Sequence, residues 1–114
     1  MKGQHRTTAE NATTHDSLFP LLKAMFGEFK ELSKKKPDAA VSKSKISIVN
    51  RLLDKLRLVL ADEDAIEFLD LLDEDDVPQA SDVTLILSQY VASMDAFYAK
   101  YYGWDGAEYV WFIE

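Results

Sequence analysis

The stretch whose reading decides the fold is residues 81–102, SDVTLILSQYVASMDAFYAKYY. Val83, Leu87, Tyr90, Met94, Phe97 and Tyr101 step through it by alternating fours and threes, the period of one helix face. Ile86, Val91, Tyr98 and Tyr102 flank that seam and make it too broad for a two-stranded coiled coil. Ser81 or Asp82 can cap the start, and Gly103 offers the left-handed residue that ends many helices. A helix over 82–102 would span about 32 Å at ~1.5 Å per residue, long enough to be the element against which the others pack.

Two more stripes lie upstream. Ile46, Val49, Leu52, Leu53, Leu56, Val59 and Leu60 predict a helix over 44–61, with Asn50, Asp54, Lys55 and Arg57 on its far side. Leu18, Leu22, Met25, Phe26, Phe29 and Leu32 predict another over 18–33, and Phe19 and Leu21 widen its stripe. Pro20 suits the first turn of such a helix, and Pro37 stops it after Lys34, Lys35 and Lys36. A short helix over 65–72 would turn Ile66, Leu69 and Leu72 inward, with Phe68 beside them. Asp73, Glu74, Asp75 and Asp76 oppose the dipole at its end and terminate it.

The two ends differ from this helical middle. Residues 1–16 are almost wholly polar and are expected to form a flexible tail, leaving one domain over 17–114. Trp104, Asp105 and Gly106 suggest a turn, and 107–114 alternates like a strand with no second strand candidate elsewhere. This extension, 104–114, could pair with its copy in another chain, lie across the bundle, or form a short helix. The expected fold is all-α: an antiparallel bundle of three to four helices, a flexible N-terminal tail and a short aromatic C-terminal extension.

Composition narrows the function. The chain has 114 residues, 47% of them hydrophobic, and no cysteine, which suits one small globular domain without disulfides or thiolate chemistry. No apolar run approaches the roughly 20 residues of a membrane span, and no signal peptide is apparent, so a cytoplasmic protein without a membrane role is expected. Charge is divided unevenly. Residues 1–60 carry twelve Lys/Arg and six Asp/Glu, whereas 61–114 carry one Lys and fourteen Asp/Glu, so a net −7 conceals halves of +6 and −13. Such halves can neutralise each other within the fold, or one can steer an oppositely charged partner.

The chemical motifs are mostly negative. Calcium-loop registers starting at Asp62 or Asp73 put Glu67 or Pro78 where a glycine is needed, so no metal site is expected. His5 and His15 fall in the expected tail, and no phosphate loop or nucleophile elbow occurs, so neither an enzyme nor a cofactor is expected. The basic segment 34–57 could contact phosphates, but the acidic balance disfavours nucleic acid. Aromatic residues crowd the last quarter of the chain, the composition of an interface hot spot. The expected function is a small non-catalytic protein-interaction module, a regulator, inhibitor or immunity-type partner that self-associates as a homodimer. Tyr98, Tyr101, Tyr102, Trp104, Tyr109, Trp111 and Phe112 are its expected contact residues. Asp73, Glu74, Asp75 and Asp76 would supply steering, and a nucleic-acid accessory role through 34–57 is the alternative.

Overall fold

The computed structural model describes residues 4–114. Three helices form: α1 (Ala9–Lys35), α2 (Lys43–Val59) and α3 (Ala80–Tyr101). They are followed by a two-stranded antiparallel hairpin, β1 (Tyr102–Trp104) and β2 (Tyr109–Trp111). The protein is thus mainly helical, with fewer full helices than four and a small sheet at its C-terminal end.

α3 is the axis. Ala80, Val83, Leu87, Tyr90, Met94, Phe97 and Tyr101 are all buried, which is the seam read from the sequence extended by one turn. Asp82 Oδ2 accepts the Gln79 N–H at 2.9 Å, so the helix starts slightly before the expected Ser81 or Asp82 cap. α2 buries Ile46, Val49, Leu52, Leu53, Leu56 and Val59, and Ser42 Oγ caps it by accepting the Lys45 N–H at 3.3 Å. The loop between α1 and α2 is held at the start of α3, where Val41 N–H donates to Pro78 O at 3.0 Å and Ala80 N–H to Ala39 O at 2.8 Å.

Four expectations need correction. The first concerns the tail: α1 begins at Ala9, with Thr8 Oγ1 accepting the Asn11 N–H at 3.0 Å. Thr7, Ala12 and His15 are buried, so most of 4–16 belongs to the folded domain; residues 1–3 lie outside the described residues. Pro20 consequently sits inside α1 rather than in its first turn, and it cannot donate to the Asp16 carbonyl. A helix accepts that loss, about 3 kcal/mol in an exposed helix, only where packing on both sides of the proline outweighs it.

The second concerns 65–72, where a single 3₁₀ turn, Asp64–Phe68, replaces the expected α-helix. Beyond it, after the Leu69 N–H donates to Ile66 O at 3.2 Å, backbone groups of 69–72 bond to side chains. Asn50 Nδ2 donates to Leu72 O at 2.8 Å, and Leu72 N–H returns a bond to Asn50 Oδ1 at 2.9 Å. Arg57 donates to Leu69 O, and Tyr90 Oη donates to Asp70 O at 2.9 Å. With those partners the segment buries Leu69 and Leu72 without needing a helical ladder.

The third and fourth concern the C-terminus. Gly103 does not end α3 in a left-handed conformation. It lies in β1, where a Cβ would come within 3.3 Å of the Phe112 ring. The missing second strand is β1 itself, paired to β2 in the register Tyr102↔Trp111, Gly103↔Val110, Trp104↔Tyr109. On its far side the C-terminal segment meets the N-terminal one: Thr7 N–H donates to Phe112 O and Glu114 N–H to Thr7 O, both at 2.9 Å.

Leu53 on α2 and Met94 on α3 are fully buried in the same core. Leu53→Ala and Met94→Ala should each lower stability by about 2–5 kcal/mol in urea titrations, as cavity-forming substitutions do. A loss below about 0.5 kcal/mol at both positions would contradict this core.

Candidate protein-interaction site

The aromatic end is organised around His15, which only a folded N-terminal turn could deliver. Its ring lies 5.0 Å from Phe19, 5.2 Å from Trp111, 5.6 Å from Tyr98 and 5.8 Å from Phe97, centroid to centroid. Nε2 is 3.0 Å from Met94 O, which assigns the N–H to Nε2, and buried Nδ1 has no hydrogen-bond partner. Asp16 Oδ1 is 3.7 Å from Nδ1, and Asp16 Oδ2 accepts Trp111 Nε1–H at 3.0 Å. The rings therefore join α1, α3 and β2 of one chain.

This changes what the expected contact residues can do. Tyr101 is buried and its hydroxyl donates to Glu63 Oε2 at 2.7 Å, while Lys100 Nζ reaches Glu63 Oε1 at 3.1 Å. Burial, reinforced by the Glu63 carboxylate, pushes the Tyr101 hydroxyl pKa up. Tyr102, Trp111 and Phe112 are half-buried within the fold. Tyr98, Trp104 and Tyr109 are exposed, with the last two meeting edge-on at 5.3 Å. Of the seven, these three keep accessible rings.

The acidic turn is likewise partly engaged. Asp75 pairs with Lys43 at 3.1 Å, and Asp73 Oδ1 accepts the Asp75 N–H at 2.9 Å, while all four carboxylates are exposed. In the basic segment, Lys43 and Arg57 are engaged as described and Lys34 pairs with Glu31 at 3.4 Å. Among the described residues no three His, Asp or Glu side chains converge in a way that could hold a metal ion, and no helix is long and apolar enough to cross a membrane.

An apolar recess lies elsewhere. α1 packs more extensively on α3 than on α2, and a groove of about 500 Å³ lies between α1 and α2. Leu21, Ala24, Met25, Phe29 and Leu32 of α1 form one wall, and Ile48 and Val49 of α2 the other, with Glu28 and Lys45 among its lining residues. Leu21 is 57% and Ile48 52% exposed, an unusual state for large aliphatic side chains facing the same recess. Leu21 already widens the first stripe in the sequence. Ile48 is missed there because it lies off the stripe of α2; an isoleucine three residues from both Lys45 and Arg51 was the available signal.

No family model matches the chain, and neither a curated protein nor a solved structure matches it.

The hairpin carries its own pH signature. Asp105 Oδ1 accepts the N–H groups of Ala107 at 2.8 Å and Glu108 at 2.9 Å. The Glu108 and Ala107 amides hold this carboxyl below its ordinary value of 3.8. A depressed folded-state pKa gives stabilisation that is present above 3.8 and is lost as pH falls through the lower folded value. In an NMR titration the Asp105 carboxyl should have a midpoint below 3.8, with the Ala107 and Glu108 amide signals moving alongside it. Asp105→Ala should abolish that acid-dependent movement; amide signals that titrate unchanged would contradict the assignment.

Proposed function

We propose that this protein is a small non-catalytic protein-interaction module, a regulator or inhibitor that docks a partner's apolar segment in the groove between α1 and α2. One observation carries the reading: large aliphatic side chains, Leu21 and Ile48, stand exposed around an open recess. Leaving such side chains wet forgoes about 1.5–3 kcal/mol each, which a docked chain would recover. The groove's lining is apolar apart from Glu28 and Lys45, a composition suited to holding a chain rather than to proton transfer or nucleophilic attack. The aromatic end supports the same division of labour. Most of its rings are engaged in closing the fold, so the groove is the better docking surface.

Affinity capture from native lysate tests this. Leu21→Glu and Ile48→Glu should each weaken retention of the partner by about 30-fold, the equivalent of a 2 kcal/mol hot spot, with the thermal transition little changed. Trp104→Ala, on the hairpin, should retain it. Capture that both groove variants preserve, or that Trp104→Ala alone abolishes, would overturn the assignment.

A further inference from the structure

We infer that the occupant of the groove is a second copy of this chain, contributed through the exposed Phe68 and Leu71 of its acidic segment. The inference rests on the reading of the groove as a docking surface and adds what fills it.

The charges around the two surfaces are complementary. On α2, the positions three before, three after and seven after Ile48 are Lys45, Arg51 and Lys55, so cations surround the exposed isoleucine on its own helix face. All three are exposed, and none takes part in an ion pair among the described residues. Phe68 is 73% exposed and Leu71 43% exposed, and the chain beside them reads DAIEFLDLLDEDD over 64–76. Every charged group in that stretch is a carboxylate. The α2 wall of the groove is therefore apolar beside cations, with Glu28 the one carboxylate in the lining, and the other surface is apolar within a wholly negative rim. Matched rims of this kind accelerate encounter and fix orientation, while the apolar centres supply the affinity.

The same chain cannot satisfy itself. Asn50 and Arg57, which hold residues 69–72, are seven apart on α2, and Lys43, which pairs with Asp75, is seven before Asn50. That stripe is offset from the groove-lining Lys45, Ile48 and Val49 by about 150° at ~100° per residue. The acidic segment and the groove wall thus occupy nearly opposite faces of α2. Docking uses two different patches, one from each molecule, which makes the contact head-to-tail and lets assembly continue beyond a dimer. The carboxylates of Asp73, Glu74, Asp75 and Asp76 act here as the steering charge.

Sedimentation velocity on the full chain, at low and at high salt, tests the proposal. The wild type should grow past a dimer with concentration at low salt and shift toward monomer at high salt. Ile48→Glu destroys only the groove and Phe68→Glu only the inserting side chain, so each variant alone should be monomeric while retaining the wild-type circular dichroism spectrum. Mixed together, they should recover a one-to-one dimer and nothing larger, since one intact groove and one intact segment remain. Changing all four of Asp73, Glu74, Asp75 and Asp76 to Asn should slow association of the wild type about tenfold at low salt and leave the rate at high salt nearly unchanged. A wild type that is monomeric at both salts, or a mixture that stays monomeric while the wild type assembles, overturns the inference. If that monomer still captures a different protein through Ile48, the groove keeps its role and only self-docking fails.

Discussion

The apolar face of α3, buried from Ala80 to Tyr101, is the surface on which the rest of the fold is built. α1 lies along it most extensively and also packs on α2, whose own stripe joins the same continuous core. The groove lies between α1 and α2, where Leu21 and Ile48 stay outside that core.

Polar side chains hold what apolar packing leaves open. Between the end of α2 and the start of α3, the chain forms a single 3₁₀ turn and then runs back beside α2. Its backbone groups there bond to Asn50, Arg57 and Tyr90, residues of the two long helices. Burial pushes the Tyr90 hydroxyl up to about 12, which keeps its proton in place for the Asp70 carbonyl at any ordinary pH. An extended segment braced this way can carry exposed Phe68 without unfolding, because its attachment does not depend on that ring.

The legible parts of the sequence were those where local pattern and tertiary burial agree. The stripes of α2 and α3 are continuous and undisturbed, and every residue in them that was expected to be buried is buried. The start of α1 was not legible, because Thr7 and His15 are polar and become buried only under a hairpin contributed by the other end of the chain. Pro20 compounded this by resembling a helix start. β1 was hidden for a different reason: Tyr102 continues the aromatic spacing of α3, and only the Phe112 ring beside Gly103 explains why the chain straightens there. In the candidate site, Leu21 stood within a recognised stripe, whereas Ile48 looked like one apolar residue on a solvated face. The Glu63 contact that removes Tyr101 from the expected interface joins residues thirty-eight positions apart, a separation no local spacing reveals.

The clasp between Thr7 and the strand end at Phe112 and Glu114 has a consequence for the order of folding. As the chain leaves the ribosome, α2 and the segment 69–72 can begin to assemble through the contacts of Asn50 and Arg57, which are of modest sequence separation. The first turns of α1 have no such opportunity. His15 waits for Phe97, Tyr98 and Trp111, and Thr7 waits for Phe112 and Glu114. These first turns of α1, made before their partners, therefore depend on the most distant contacts in the fold. Closing the loop between Thr7 and Phe112 carries an entropic cost that the helices, once formed, reduce by narrowing the search.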